Sequence, residues 1–196
     1  MANPSTSPDK DALRLRCRAS LAGLSRADRL ASSEMLTEAL SGWLATRPMG
    51  VSVGIFAATA DEPDLSSLHT TCPSVSLAYP RSAADGTMDF HAVADPASLC
   101  KGRFGIREPD AGRHPLIPAG DLDLLVCPGL AFSPKGARLG RGGGYYDRYL
   151  ERLAPEIPRL GICFPCQVVA EVPLEEHDVV MTHLVTTTGI VEVEPA

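Results

Sequence analysis

The residues whose types best suit chemistry lie in one glycine-rich segment of the sequence. Six glycines occur from Gly129 to Gly144, and Lys135, Arg138 and Arg141 place positive charge among them. Glycine lets the backbone approach a ligand closely, so that consecutive N–H groups can converge on an anion. The segment is therefore a candidate phosphate-binding loop, although glycine-rich turns also serve for chain reversal alone.

The segment differs from the two best-known nucleotide-binding loops. It lacks the Gly-Lys-Ser/Thr ending of a Walker loop, and Gly140-x-Gly142-x-x-Tyr145 departs from the dinucleotide fingerprint at its last glycine. The segment follows an apolar run that ends at Cys127. Because ligand sites of open α/β sheets lie at the carboxyl ends of strands, this position supports a ligand site of another kind.

Two helices are predicted before the first strand. Ser7, followed by proline, is the predicted N-cap of the first helix, and Ser25, with an acidic residue three positions later, is that of the second. The apolar residues of the first helix recur at helical spacing at Leu13, Cys17, Leu21 and Leu24. Lys10, Arg14 and Arg18 follow at four-residue intervals beside that stripe and form either a solvated edge or a basic surface.

The rest of the chain alternates between strand and helix patterns. Strands are predicted over residues 51–57, 75–79, 88–93, 122–127, 159–163 and 179–185, and helices over residues 64–69 and 145–153. The alternation predicts an α/β fold with a largely parallel sheet flanked by helices. The nearly all-apolar run 122–127 predicts a strand that is covered on both faces. We expect a single domain over residues 9–196, preceded by a disordered tail over residues 1–8.

Composition limits the classes of function. The net charge of −6 argues against a general nucleic-acid binder, and no stretch approaches the roughly 20 apolar residues of a membrane span. The N-terminus lacks the apolar core of a signal peptide, so a cytoplasmic protein is expected. Residues 9–29 carry six basic and three acidic side chains, and residues 131–152 carry five and two. Two segments of an acidic protein are thus locally basic, which favours a small anionic ligand.

The cysteines and histidines do not form a recognisable metal or disulfide pattern. Cys163 and Cys166 have the C-x-x-C spacing of redox and metal pairs, but no second such pair is present, and buried thiols are the simpler interpretation. The five histidines show no metal-ligand spacing, and we expect them at the surface or in packing: His69, His91, His114, His177 and His183.

The glycine-rich segment and its surroundings resemble a known family. The runs Pro128-Gly129-Leu130-Ala131-Phe132 and Gly136-x-Arg138-Leu139-Gly140-Arg141-Gly142-Gly143-Gly144-Tyr145-Tyr146-Asp147-Arg148 are similar to the signature of the 5-formyltetrahydrofolate cyclo-ligases, also called methenyltetrahydrofolate synthetases. Further similar segments are Lys10-x-x-Leu13-Arg14, residues 56–62, Phe104-Gly105-Ile106-x-Glu108-Pro109, Leu160-Gly161-Ile162-x-Phe164-x-x-Gln167, Val172-Pro173 and His177-Asp178. The resemblance implies a fold similar to the NagB/RpiA/CoA-transferase-like fold.

The resemblance also implies an activity, that of a C–N bond-forming cyclo-ligase in one-carbon folate metabolism. Such enzymes use ATP and magnesium to convert 5-formyltetrahydrofolate, with or without a polyglutamate tail, into 5,10-methenyltetrahydrofolate, ADP and phosphate. The formyl oxygen is a poor leaving group, and its phosphorylation lets the second folate nitrogen close the ring. A cytoplasmic monomer without nucleic-acid or membrane partners is expected.

Roles for individual residues follow from the same resemblance. The residues implied in ATP binding are Lys10, Arg14, Arg138, Leu139, Gly140, Arg141, Gly142, Gly143, Gly144, Tyr145 and Tyr146. Those implied in substrate binding are Ala57, Glu62, Arg141, Gly142, Gly143, Gly144 and Tyr145. The implied catalytic residues are Lys10, Arg14, Arg138 and Tyr146, and the implied magnesium ligands are Asp147 and Asp178.

Two other functions remain open on the sequence. A kinase or another ligase could use the same loop on a different acceptor, and it would lack the folate selectivity assigned to Glu62. A non-catalytic regulator could keep the fold and bind a nucleotide or folate without turnover. The presence of Lys10, Arg14, Arg138 and Asp147 argues against this second alternative.

Overall fold

Helices cover both faces of a central sheet within residues 8–175 and 178–194, which are the residues that the computed structural model describes. The helices are α1 (Pro8–Ala22), α2 (Arg26–Leu44), α3 (Leu68–Thr71) and α4 (Tyr145–Leu150). The strands are β1 (Ser52–Gly54), β2 (Ser76–Ser82), β3 (Met88–Ala92), β4 (Cys100–Lys101), β5 (Arg107–Glu108), β6 (Leu116–Ile117), β7 (Leu124–Cys127), β8 (Ala131–Phe132), β9 (Arg138–Leu139), β10 (Arg159–Ile162), β11 (His183–Thr186) and β12 (Gly189–Glu192).

The first two helices begin where the sequence predicts. α1 starts at Pro8, and residues 1–7 lie outside the described residues, so the tail stays a prediction there. Ser25 precedes α2, and its hydroxyl oxygen accepts a hydrogen bond from the backbone N–H of Asp28 at 3.1 Å. This cap satisfies one of the backbone N–H groups that have no partner within the first turn of a helix.

Eight strands form one sheet in the order β12-β11-β10-β7-β1-β2-β3-β6. The five central strands from β11 to β2 are parallel, whereas β12, β3 and β6 each pair antiparallel with their neighbours. The other two pairs, β4 with β5 and β8 with β9, are short antiparallel ribbons. The prediction of an α/β fold with a largely parallel sheet flanked by helices is confirmed.

The central strand β7 shows why helices cover both faces. Leu124 and Val126 point into the core that α1, α2 and α3 cover, whereas Leu125 and Cys127 point into the core that α4 covers. All four residues are buried, which confirms the predicted coverage on both faces. Burial of an aliphatic side chain of this size contributes about 1.5–3 kcal/mol to stability.

Several predicted elements differ in extent from the observed ones: the helix predicted over residues 145–153 ends at Leu150, and the strand predicted over residues 179–185 begins at His183. β1 ends at Gly54, before the predicted end of its strand, and the chain continues into the pocket described below. α3 begins four residues later than predicted, because α2 holds the preceding segment in a non-helical conformation. The hydroxyl of Ser33 accepts from the backbone N–H of Asp64 at 3.1 Å, and the hydroxyl of Thr37 donates to the carbonyl of Asp64 at 3.4 Å.

The strand order creates a crevice at the carboxyl ends of β1 and β7. The chain continues from β1 to β2 on one side of β1, and β7 lies parallel to β1 on the other side. Ligand sites of open α/β sheets lie at such a change of direction. The segment after β1 and the glycine-rich segment after β7 therefore begin at the same edge of the sheet. Of the helices described, none has the length and apolar character needed to cross a membrane.

Candidate active site

A pocket of about 470 Å³ opens at this edge of the sheet, a volume within the usual range of small-molecule sites. The predicted site residues that line it are Ala57, Glu62, Arg138, Gly140, Arg141, Gly143, Gly144, Tyr145, Tyr146 and Asp147. The predicted residues outside its lining are Lys10, Arg14, Leu139, Gly142 and Asp178. The structure thus brings most of the predicted site together around one cavity.

A hairpin of β8 and β9 fixes the position of Arg138 on the pocket wall. The N–H of Ser133 donates to the carbonyl of Ala137, and the N–H of Gly136 donates to the carbonyl of Ser133, both at 2.9 Å. Arg138 follows this turn and is only 7% exposed. Its guanidinium donates to the carbonyl of Pro128 at 3.2 Å and forms an ion pair with Asp147. The ion pair joins the residues that flank the run from Gly140 to Gly144.

Helix α1 packs against the glycine-rich segment and contacts its backbone. Nε of Arg14 donates to the carbonyl of Gly140 at 3.1 Å, and Nη2 of Arg18 donates to the carbonyl of Arg141 at 3.4 Å. Arg14 is buried and also pairs with Asp11 at 2.6 Å. The basic row of α1 is therefore more than a solvated edge, because two of its members hold the loop.

Lys10 lies in the same row but forms a separate cluster with two carboxylates. Its Nζ donates to Oδ2 of Asp178 at 2.5 Å and lies 3.0 Å from Oε2 of Glu175. Burial lowers the pKa of Lys10, but the hydrogen bonds and charges of the two carboxylates outweigh burial and raise it. Lys10 is therefore charged at neutral pH, and its ion pair with Asp178 lies outside the pocket lining.

The two predicted magnesium ligands pair with different cations. Asp147 lines the pocket and pairs with Arg138, whereas Asp178 pairs with Lys10. Within residues 8–175 and 178–194, no three metal-binding side chains form a cluster. His177, next to Asp178, lies outside the described residues. A single carboxylate on a pocket wall still suits magnesium, which binds through one or two carboxylates, water and ligand phosphates.

Glu62, in the segment after β1, is bound to the glycine-rich segment. Its Oε1 accepts from Nε of Arg141 at 3.0 Å, and its Oε2 accepts from the N–H and hydroxyl of Thr59 at 3.0 and 2.8 Å. Nη2 of Arg141 also donates to Asp61 at 2.9 Å. Burial raises the pKa of Asp61, but hydrogen bonds from Arg141 and Thr59 outweigh burial and lower it. Burial lowers the pKa of Arg141, but Asp61 and Glu62 raise it, so Arg141 and Asp61 are both charged at neutral pH.

The two tyrosines at the start of α4 contact the pocket differently. The hydroxyl of Tyr146 is buried without a hydrogen-bond partner in the described part of the chain, and its ring lies 5.6 Å from the guanidinium of Arg138. Burial raises the pKa of Tyr146 well above its ordinary value, so this hydroxyl stays protonated. Tyr145 packs edge-to-face with Phe104 at 5.9 Å. Tyr146 lines the pocket, but its hydroxyl itself is buried from solvent, so it can donate to a ligand oxygen only after a small shift of the side chain.

The ribbon of β4 and β5 adds pocket residues to which the sequence analysis assigned no role. Phe104, at its tip, is 71% exposed and has a left-handed backbone with φ of 56°. Glu108 is buried and accepts from the N–H of Ser82 at 3.3 Å. Their place in a family-like run was the signal available for these two residues. Pro80 and Met88, on β2 and β3, had no comparable signal.

The C-x-x-C pair belongs to the packing of the fold. Cys163 and Cys166 are free thiols, the first fully buried and the second partly buried. Burial raises the pKa of Cys163 to about 12, so its thiol is protonated at neutral pH and a poor nucleophile. Two of the histidines also pack internally, since Nδ1 of His91 lies 2.8 Å from the carbonyl of His114 and both residues are buried.

Comparison with known proteins finds relatives along most of the chain. Residues 6–187 match the model of the 5-formyltetrahydrofolate cyclo-ligase family. The 5-formyltetrahydrofolate cyclo-ligase of Mycolicibacterium smegmatis is 34% identical over 157 residues, which are 76% of this chain and 80% of the relative. The enzyme of the same name from Escherichia coli K12 is 34% identical over 108 residues, which are 55% of this chain and 59% of the relative.

Solved structures share the fold. The 5,10-methenyltetrahydrofolate synthetase of Aquifex aeolicus has a TM-score of 0.76 and 28% identity, and the match covers 95% of this chain and 94% of that one. The synthetase of Mycoplasma pneumoniae has a TM-score of 0.75 over 91% of this chain and 99% of that one, and its 20% identity supports the fold alone. The family match, the sequence relatives and the fold agree, and the chain belongs to the 5-formyltetrahydrofolate cyclo-ligase family.

Proposed function

We propose that the protein converts 5-formyltetrahydrofolate and ATP into 5,10-methenyltetrahydrofolate, ADP and phosphate. Its sequence relatives and structural neighbours carry the names of this activity. The observation in this chain that carries the proposal is a single pocket lined both by the cationic glycine-rich segment and by Glu62. Such a pocket can hold a triphosphate beside a heterocycle rich in N–H donors.

The glycine-rich segment is the proposed nucleotide side of the pocket. Its backbone N–H groups would donate to the phosphates, and Arg138 and Arg141 would offset their charge. Arg14 supports this side through its hydrogen bond to the carbonyl of Gly140. Lys10 pairs with Asp178 beside this segment. Lys10 remains a proposed nucleotide-binding residue and Asp178 a proposed metal ligand, although both lie outside the pocket lining.

Asp147 fits a magnesium ion that binds together with the phosphates. Its carboxylate lies on the pocket wall, and magnesium prefers carboxylate and phosphate oxygens. When bound, the ion supplies positive charge to the transferred phosphoryl group. Asp178 is the second proposed ligand, and Lys10 holds it in place before the ion binds.

Glu62 and the apolar part of the pocket form the proposed folate side. The carboxylate of Glu62 would accept paired N–H groups of the pterin ring, and Ala57, Phe104 and Tyr145 offer apolar surface to it. The hydroxyl of Tyr146 would donate to an oxygen that gains charge during the reaction. These contacts would hold both substrates together, and positioning of this kind can lower a barrier by about 7–11 kcal/mol.

The proposed reaction has two steps, and the pocket must align the reacting atoms in each of them. The formyl oxygen attacks the γ-phosphorus of ATP, and ADP leaves. The second folate nitrogen then attacks the formyl carbon and gives up its proton, the carbon–oxygen bond breaks with its electron pair going to the oxygen, and phosphate leaves. The protein contributes positions and charges to both steps and forms no covalent bond with either substrate.

An absorbance assay tests the proposed function. Purified protein is mixed with 5-formyltetrahydrofolate, ATP and magnesium, and the methenyl product is followed in the near ultraviolet. We expect a rise in absorbance that needs all three additions. ATP consumption without the methenyl product would indicate a different acceptor, and inactivity of a folded sample would indicate a non-catalytic protein. We also propose a cytoplasmic monomer, for which light scattering should give a mass of 20.8 kDa.

A further inference from the structure

The guanidinium of Arg141 binds the carboxylate of Glu62, which the proposed function assigns to folate binding. Oε1 of Glu62 accepts from Nε of Arg141, and Oε2 already accepts two hydrogen bonds from Thr59. The side chain of Glu62 is only 9% exposed. Three of about four acceptor positions on this carboxylate are therefore taken, and Oε1 can accept two N–H groups of a pterin only after Arg141 leaves it.

The backbone around Arg141 permits such a movement. Gly140 and Gly142 flank the residue, and Gly142 has a φ of +99°, a conformation that glycine adopts readily. The surroundings of Gly142 are open, since a Cβ added there would approach nothing closer than Arg14 at 3.8 Å. The side chain of Arg141 is itself 39% exposed. The side chain of Arg141 can therefore turn without a rearrangement of the strands, while Arg14 and Arg18 keep the carbonyls of Gly140 and Arg141 in place.

Phosphate groups compete well for an arginine in this position. Solvent screens the pair of Arg141 with Asp61, whose side chains are 39% and 34% exposed, so this pair contributes little net free energy. The guanidinium binds phosphate in the same two-pronged geometry as carboxylate, and a triphosphate carries more charge than Glu62 and Asp61 together. A nucleotide in the glycine-rich segment would place this charge beside the residue that holds Glu62.

We propose that Arg141 is a displaceable latch that couples nucleotide binding to folate binding. Without nucleotide, Arg141 holds Glu62 and Asp61. Phosphates in the glycine-rich segment attract Arg141, and Glu62 is then free to accept the N–H groups of the pterin. Because coupling between two sites is reciprocal, folate also promotes nucleotide binding. This inference rests on the proposed function and adds that nucleotide binding prepares the pocket for folate.

Equilibrium binding tests the latch without turnover. The affinity for 5-formyltetrahydrofolate is measured by calorimetry with and without saturating magnesium and the β,γ-imido analogue of ATP. In the wild-type protein, the analogue should tighten folate binding at least about fivefold. In Arg141→Gln, folate should bind at least about threefold more tightly than in the wild type when no nucleotide is present, and the analogue should change its affinity less than twofold. Adding Glu62→Gln to Arg141→Gln should weaken folate binding, because the freed carboxylate is the acceptor.

Matched variants separate the latch from loss of charge and from loss of structure. Arg152→Gln removes an exposed arginine that pairs with Asp89 outside the pocket, and it should keep the wild-type coupling. Arg141→Lys keeps the charge but not the two-pronged geometry, and its coupling should lie between that of the wild type and that of Arg141→Gln. The latch is wrong if Arg141→Gln binds folate alone no more tightly than the wild type, or if its coupling persists. If the wild-type protein binds neither ligand, the proposed function is wrong instead.

Discussion

The guanidinium of Arg138 and the carboxylate of Asp147 form an ion pair on the pocket wall. The side chain of Arg138 is 4% exposed, and its Nε has no hydrogen-bond partner among the residues described. When one N–H donor of a buried guanidinium already lacks an acceptor, the free energy of the folded state depends strongly on the acceptors that remain. Asp147 therefore has a structural role besides its proposed role as a magnesium ligand, and substitutions can separate the two.

Replacing Asp147 should affect stability and activity to different extents. Asp147→Ala leaves the buried guanidinium of Arg138 without its carboxylate, which should lower the free energy of unfolding by about 1–3 kcal/mol. Asp147→Asn keeps an oxygen acceptor for Arg138 and should cost less stability. Both variants lose the charged ligand, so both should lower kcat/KM by on the order of 100-fold or more. Urea unfolding and the methenyl assay measure the two effects.

The control for Asp147 is Asp89, whose carboxylate pairs with Arg152 at the surface. Asp89→Asn should leave activity and stability close to those of the wild type, because exposed ion pairs contribute little. Wild-type activity in Asp147→Asn would remove this residue from the metal site. Equal stability of the alanine and asparagine variants would contradict the structural role.

Tyr146→Phe removes the hydroxyl that has no partner in the described structure. Because no hydrogen bond is lost, the unfolding free energy should stay within about 0.5 kcal/mol of the wild type. Turnover should fall about tenfold or more if the hydroxyl donates to the substrate. Since burial raises the pKa of Tyr146, this hydroxyl should add no step to the pH–rate profile near neutrality.

Tyr149 offers a matched control for Tyr146. Its hydroxyl is also buried without a partner in the described part of the chain, and burial raises its pKa to about 12, but it does not line the pocket. Tyr149→Phe should therefore keep full activity. A loss of activity as large in Tyr149→Phe as in Tyr146→Phe would mean that the hydroxyls act through packing rather than through contact with the substrate.

The sequence was sufficient for the parts of the site that are local in the chain. The apolar run of β7 and the glycines after it indicated a loop at the carboxyl end of a strand, which the structure confirms. The role of α1 was less accessible. Hydrophobic periodicity could not decide whether Lys10, Arg14 and Arg18 face solvent or a ligand, because helical spacing does not reveal what lies opposite a helix.

Long-range contacts account for what the sequence analysis missed. Arg141 and Glu62 are 79 residues apart, and the strand order that brings them together cannot be read from hydrophobic periodicity. Phe104 lies at the tip of a ribbon whose strands contain two residues each, too few to show alternation. Its left-handed backbone and exposed ring are properties of the folded ribbon alone.

His69 should give stability a measurable pH dependence. Burial lowers its pKa below 6.5, although the Ala94 backbone and Asp95 act in the other direction. The folded protein therefore binds this proton less readily than the unfolded chain. The corresponding stability is present above pH 6.5 and is lost as the pH falls through the lower pKa of the folded state.

A substitution isolates this contribution. His69→Gln keeps a side chain that can hydrogen-bond to the hydroxyl of Tyr79, which lies 3.0 Å from Nε2 of His69, but it cannot titrate. Between about pH 7.5 and about pH 5, the wild-type unfolding free energy in urea should fall further than that of His69→Gln. Parallel losses in the two proteins would show that His69 does not couple protonation to folding.

Gly136 should be among the least replaceable glycines, because two separate costs meet there. Its φ is +80°, and an added Cβ would lie 2.4 Å from the backbone carbonyl oxygen of Met181, an atom that cannot swing aside as a side chain can. The carbonyl of Gly136 also accepts from the N–H of Met181 at 2.8 Å, so separation of the two segments would break this bond. Gly136→Ala should lower the unfolding free energy by about 2–5 kcal/mol, the sum of a left-handed backbone cost and an overpacking cost.

Gly50 separates these two costs. Its φ is +82°, nearly that of Gly136, but an added Cβ would meet no atom within 4 Å. Gly50→Ala should therefore cost only the backbone term, about 1–2 kcal/mol. Because Gly136 forms the turn that positions Arg138, Gly136→Ala should also reduce methenyl formation at a temperature where the variant is still folded, whereas Gly50→Ala should not. Equal stabilities of the two variants in urea would show that the hairpin shifts away from Met181 at little cost, and the activity of Gly136→Ala should then approach that of the wild type.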